Sequence, residues 1–260
     1  MGRLDGRVAL ITGAGAGIAR AAAAIFAQEG ARVALAEINA EAGRATEVMV
    51  RDAGGEALFI ETDVRQEDSV KRAVTSTVER FGKLDLLYNC AGGSTPEDDL
   101  VTEVDLAVWQ HTMSLDVLGP LLMCRHAIPR IIDAGGGSVV NMSSGAALRG
   151  GSPAHIYTTA KGAILSLTRA LAGAYAKHNV RVNAICAGRI LTERVTSRYG
   201  ANDKPGRMED RQDATGRVKE YPFWVGQPED IACIALFLAC DDSRMITGAS
   251  IPADGGRSAY

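Results

Sequence analysis

No stretch of this 260-residue sequence is long and apolar enough to cross a bilayer. The longest apolar run, Ile231 to Cys240, has ten residues where about 20 are needed. Cysteine is scarce: Cys90, Cys124, Cys186, Cys233 and Cys240 are odd in number, widely spaced and never in a CxxC pair, which argues against a disulfide framework or a zinc site. An excess of one charge is also missing, since 28 Lys and Arg stand against 31 Asp and Glu for a net charge of -3. With no basic run to track a phosphate backbone, nucleic acid is not expected as a partner. Metal is not expected either, because His111, His126 and His178 show no ligand spacing. Met1 to Arg7 have neither the apolar core nor the cleavage site of a secretory signal. Gly6 stands where myristoylation wants Ser or Thr, so no membrane anchor is expected and a reducing cytoplasm is the expected setting.

The sequence does have ordinary globular composition, 47% hydrophobic and 23% charged, and enough length for one large core. Short apolar runs at Val8–Ile11, Val33–Ala36, Ala57–Ile60, Leu84–Tyr88, Ser138–Asn141, Val180–Ile185 and Ala249–Pro252 read as strands. Strands apolar on both faces belong in a parallel sheet covered by helices on both sides. Helical periods near 18–28, 40–52, 66–80, 104–133, 154–177 and 228–240 alternate with them, several closed by glycine at Gly30, Gly54 and Gly82. No linker divides the chain, so the expectation is a single α/β domain over 1–260. One long irregular stretch, at about 189–226, is expected to be a loop with a job.

The first strand runs into TGAGAGIA, Thr12 to Ala19, and a helical segment follows at once. Gly13, Gly15 and Gly17 let the backbone turn sharply and approach a ligand, while the helix N-terminus offers N–H groups to a pyrophosphate. Glu37 lies 20 residues beyond Gly17 at the end of the second strand. A carboxylate there can accept from the adenosine ribose hydroxyls and repels a 2′-phosphate, which favours NAD over NADP. Ala16 and Ile38, where a phosphate-binding cation would stand, are uncharged.

Tyr157 and Lys161 are four apart in a helical segment and project from one face. A nearby ammonium favours the tyrosinate and fits the phenol for proton transfer at neutral pH. Ser144 stands just past the strand Ser138–Asn141, at the carboxyl edge where parallel sheets bind ligands, and its hydroxyl can orient a substrate oxygen.

Over nearly its whole length the chain resembles a short-chain dehydrogenase/reductase. The likeness rests on TGAGAGI at 12–18, Asp63–Val64, NCAG at 89–92, NMSS at 141–144, YTTAK at 157–161, RVNAICAG at 181–188 and DGG at 254–256. The resemblance implies a Rossmann-type doubly wound sheet of about seven strands and hydride transfer between NAD(H) and a secondary alcohol or ketone. It makes Gly13, Gly17 and Ile18 part of the cofactor-binding set, with Asp63 and Val64 near the adenine, and Asn89, Ala91 and Gly92 beside the cofactor. It also implies that Lys161 holds the nicotinamide ribose, that Ile190 and Thr192 contact the carboxamide, and that Ser144 and Tyr157 bind the substrate oxygen. In oxidation Tyr157 takes the hydroxyl proton. A homotetramer or homodimer is implied as well.

Four positions depart from the family pattern. Ala19 replaces a third glycine, Cys90 an Asn and Ala187 a Pro, none of which touches the chemistry. Asp116, aligned through Trp109 and Gly119, replaces an Asn that supports a proton relay to the lysine. A carboxylate there would stabilise the Lys161 ammonium and oppose the Tyr157 anion, so that oxidation needs higher pH. Two alternatives stay open: an NADPH-dependent ketone reductase, and a weakly catalytic protein that binds NAD(H) as a structural or regulatory ligand. Tyr221 to Trp224 read as an apolar lid over the substrate or a satellite core under the long loop, with the lid favoured; His155 reads as a helix-start surface residue rather than one that reaches the pocket, and Arg149, Arg189 and Arg194 as cations for substrate or solvent.

Overall fold

A computed structural model describes residues 2–199, 223 and 225–259. Seven strands form one parallel sheet in the order β3-β2-β1-β4-β5-β6-β9, where β1 is Val8–Thr12, β2 Arg32–Glu37, β3 Glu56–Glu61, β4 Leu86–Asn89, β5 Gly137–Ser144, β6 Val180–Ala187 and β9 Ser250–Ala253. Strand β1 pairs with both β2 and β4, so the winding reverses there and opens a crevice at the carboxyl ends of the two.

Because β1 is buried at every residue, its two faces feed two separate cores. On one side Ala9 and Ile11 pack with Phe26 of α1 (Gly17–Gln28) and with Ile231 and Leu236 of α8 (Pro228–Ala239). On the other, Val8 and Leu10 pack with Val70 and Val74 of α3 (Glu67–Phe81) and with Met123 and Ile128 of α5 (Gly119–Asp133). The sheet is therefore doubly wound, as the apolar strands require.

Several elements differ from the sequence expectation. Strand β5 extends to Ser144, which is its last residue rather than a loop residue beyond it, because β6 pairs with it along its full length. The helical pattern at 104–133 is broken: α4 (Leu106–Met113) passes through one π turn, Ser114–Leu118, before α5. The Gly119 N–H reaches the Ser114 carbonyl five residues back, as expected where Pro120 lacks a donor and its ring crowds the Asp116 carbonyl. The stretch at 189–226 is not wholly irregular. It holds β7 (Arg189–Ile190) paired with β8 (Val225–Gly226), and α7 (Glu193–Tyr199). Tyr221, Pro222 and Trp224 of the expected lid lie outside the described residues, and Phe223 is 74% exposed. No described helix is long and apolar enough to cross a membrane.

Candidate active site

Thr12 ends β1 at the crevice, and its Oγ1 accepts from the Cys90 and Ala91 N–H groups at 3.0 and 3.1 Å, which fixes the end of β4 beside the glycine turn. Gly13 holds φ +69°, and a Cβ there would stand 2.9 Å from the Ala91 Cα, so only glycine lets the two segments approach. The Glu37 carboxylate accepts from the Gly15 N–H at 3.0 Å and the Asn39 N–H at 2.9 Å, and lines a cavity of about 340 Å³ with Gly13, Ile38, Asp63, Val64 and Gly92. Asp63 is held by Arg65 through two side-chain hydrogen bonds, which pull its carboxyl below the usual aspartate range. The Gly17 N–H, expected to face a phosphate, donates to Glu193 Oε2 at 3.0 Å, and Arg20 pairs with the same carboxylate at 2.8 Å. The positive end of α1 draws this carboxylate from 176 residues away.

Tyr157 and Lys161 stand in the first two turns of α6 (His155–Tyr175). Their i, i+4 spacing brings the Lys161 Nζ to 5.5 Å from the Tyr157 ring centre. Lys161 is buried and its Nζ donates to the Met142 carbonyl at 3.1 Å, while Ser143 Oγ donates to the Lys161 carbonyl at 2.8 Å. The end of β5 is thus bolted to α6 two residues before Ser144, whose Oγ accepts from the Ala146 N–H.

The π turn aims Asp116 inward, fully buried, with Oδ1 2.8 Å from Lys161 Nζ. Asp116 and Lys161 thus form a buried ion pair. Asp116 Oδ1 also accepts from the Gly93 N–H at 3.0 Å, and Oδ2 is buried without a hydrogen-bond partner among the described residues. Burial alone would lower the pKa of Lys161, but the charges of Asp116 and Tyr157 and the Asp116 hydrogen bond together hold it above the usual lysine value.

Other expected site residues fall in different surroundings. Asn89, the last residue of β4, turns its side chain into the fold and donates to Asn141 Oδ1 at 2.8 Å. Ile18 packs on the core from the first turn of α1, and Ile190 is buried in the β7–β8 pair. Thr192 Oγ1 accepts from the Val195 N–H as α7 begins. Arg194 donates to the Gly92 carbonyl at 2.7 Å, so it reaches the crevice, and His155 accepts from the Val101 N–H rather than facing solvent freely. Sequence reasoning missed Glu193 and Asp98, both of which act across large sequence separations. Among the described residues no cluster of His, Cys, Asp or Glu is arranged to hold a metal.

The family described as enoyl-(acyl carrier protein) reductase matches residues 13–258. An uncharacterised oxidoreductase of Thermotoga maritima is 39% identical over 98% of each chain. Among solved structures, a short-chain dehydrogenase from Mycobacterium paratuberculosis bound to NAD superposes with a TM-score of 0.88 at 30% identity over the full length of both chains. Carveol dehydrogenase from Mycobacterium avium in complex with NAD does so at 0.89 and 29%, again over both full chains. The chain belongs to the short-chain dehydrogenase/reductase family of oxidoreductases.

Proposed function

We propose that the protein interconverts a secondary alcohol and its ketone with NAD(H), using Tyr157 as the proton-transfer group. One observation carries the reading: a buried Lys161 ammonium, clamped by Met142 and Asp116, stands 5.5 Å from the Tyr157 ring at the carboxyl edge of a parallel sheet. The residues present fit NAD. The glycine-only approach of Gly13 to Ala91 leaves backbone exposed for a close ligand, and the Glu37 carboxylate faces a cavity of adenosine size at the end of β2. Gly13, Gly17 and Ile18 would hold the phosphates, Glu37 the ribose, and Asp63 and Val64 the adenine. Asn89, Ala91 and Gly92 would lie along the cofactor, with Ile190 and Thr192 at its carboxamide and Tyr157 and Lys161 at the nicotinamide ribose. When bound, NAD accepts or supplies the hydride. Ser144 hydrogen-bonds the substrate oxygen, and Tyr157 takes its proton in oxidation or returns it in reduction. Lys161 stabilises the tyrosinate, because a positive charge within a few ångströms favours the anion. The NAD-bound neighbours and the carveol dehydrogenase likeness support this cofactor and an alcohol substrate. Exposed Leu106, Trp109 and Leu121 on α4 and α5 support a homodimer or homotetramer.

Calorimetric titration with NADH and NADPH tests the cofactor first, and NADH should bind at least about tenfold tighter, or about 1.4 kcal/mol. An NAD-coupled screen of secondary alcohols with Tyr157→Phe then tests the chemistry. The variant should lose at least about a hundredfold in kcat while still binding NADH. Equal NADPH binding, or turnover unchanged in Tyr157→Phe, overturns the proposal.

A further inference from the structure

The first turn of the helix that carries Tyr157 has no cap of its own. Its N-cap residue is Ala154, whose side chain can accept nothing, and the first intrahelical bond runs from the Thr158 N–H to the Ala154 carbonyl at 3.0 Å. The His155, Ile156 and Tyr157 N–H groups must therefore find acceptors elsewhere. All three find them in one segment of the β4–α4 connection. Asp98 Oδ1 accepts from the Ile156 N–H at 3.1 Å and Oδ2 from the Tyr157 N–H at 2.7 Å, while the Asp99 carbonyl accepts from the His155 N–H at 3.4 Å. A fourth bond returns from the Val101 N–H to His155 Nδ1 at 3.0 Å.

We infer that Asp98 is a positioning residue for catalysis: its carboxylate, supplied from the β4–α4 connection, fixes the backbone of Tyr157 and so sets the phenol against the crevice. The inference rests on the proposed role of Tyr157. The same connection includes Gly93, whose N–H bonds the Asp116 carboxylate that pairs with Lys161. Tyr157 and Lys161 are thereby tied at two points to the segment that follows Asn89, Ala91 and Gly92. The shorter of the two Asp98 bonds goes to Tyr157 itself, and a carboxylate facing a helix N-terminus is held by the helix dipole as well as by hydrogen bonds. Among the described residues no other side chain accepts from the Tyr157 N–H, and Asp99 bonds the helix through its backbone carbonyl.

The test uses Asp98→Asn and Asp98→Ala in the full chain, with Asp105→Ala as control. Asp105 caps α4 in the same connection by accepting from the Ala107 N–H at 2.7 Å and, among the described residues, makes no hydrogen bond or ion pair to α6, so its loss reports a cap of similar kind away from Tyr157. Kinetics are measured on the best alcohol from a panel that includes cyclohexanol, with thermal unfolding and NADH titration on each variant. Asp98→Asn keeps one acceptor and turns an N–H donor toward the other amide. A misplaced reacting group costs about 10²-fold in rate for about 1 Å, so Asp98→Asn should lower kcat at least about tenfold and Asp98→Ala further. KM for the alcohol and the NADH dissociation constant should change far less than kcat, because Gly13, Glu37 and Ser144 keep their places and only the Tyr157 contact shifts. Asp105→Ala should keep kcat. If Asp98→Asn keeps the parent kcat while Tyr157→Phe abolishes it, the positioning role is wrong and the reading of Tyr157 survives. If Asp105→Ala loses as much kcat as Asp98→Ala, the effect is general loosening and the role is wrong. If the parent turns over no alcohol in the panel, or Tyr157→Phe stays active, the functional reading fails and the role of Asp98 with it.

Discussion

Replacing Asp116 by Asn should move the pH dependence of oxidation to lower pH. The carboxylate lies 2.8 Å from Lys161 Nζ, and the ammonium lies 5.5 Å from the Tyr157 ring centre, so the negative charge is within about 8 Å of the phenol. At an effective dielectric near 20, two charges at that distance interact by about 2 kcal/mol, of which solvent in the crevice screens a part. About one pH unit is the expected shift of the acid limb of kcat/KM, downward, because the Lys161 charge is no longer offset. Asn still accepts from the Gly93 N–H and from Nζ, so the geometry is retained. The assay is a kcat/KM profile for alcohol oxidation from pH 6 to 10, run beside Tyr157→Phe as a blank. A second readout comes from stability. The Lys161 pKa is raised in the folded protein, so the pair stabilises the fold below the ordinary lysine value of 10.5, and that stability is lost as pH rises through the higher folded value. Denaturant unfolding should therefore find Asp116→Asn less stable at pH 7, with the gap to the parent closing above pH 10.5. An acid limb that stays in place or moves upward would refute the electrostatic reasoning and leave Asp116 with a packing role alone.

Glu37→Ala removes the charge that opposes a 2′-phosphate, and the ratio of NADH to NADPH affinity should fall at least about tenfold by fluorescence titration; an unchanged ratio means Glu37 does not select the cofactor. Asn141 is fully buried, accepts from Asn89 and donates to Thr168 Oγ1 at 3.0 Å. Asn141→Leu should cost about 2–5 kcal/mol and several degrees of Tm, read by calorimetry, since both partners lose a buried bond. Burial pushes the thiols of Cys90 and Cys186 up to about 11 and that of Cys124 up to about 12. A thiol reagent at pH 8 should therefore modify exposed Cys233 first, and fast labelling of Cys90 would contradict this ordering.

Much of the fold was legible in short-range pattern. Fully apolar runs such as Val8–Ile11 could be stable only inside a parallel sheet, and the glycine turn after β1 marked the crevice because a positive φ at Gly13 leaves a local signature. Tyr157 and Lys161 were legible for the same reason, since an i, i+4 spacing becomes one helix face wherever the helix goes. What the order of residues could not show was where a side chain would end once distant segments met. The helical period around Asp116 reads as continuous, whereas the fold places a π turn at 114–118 that aims the carboxylate at Lys161. Glu193 at the N-terminus of α1 and Asp98 at that of α6 carry no local mark, because a helix end accepts a carboxylate from any segment the fold brings near. Residue type and spacing determined the sheet, the turn and the Tyr157–Lys161 pair. Tertiary packing alone decided which carboxylates face them, because hydrogen bonds and ion pairs depend on separation in space and not along the chain.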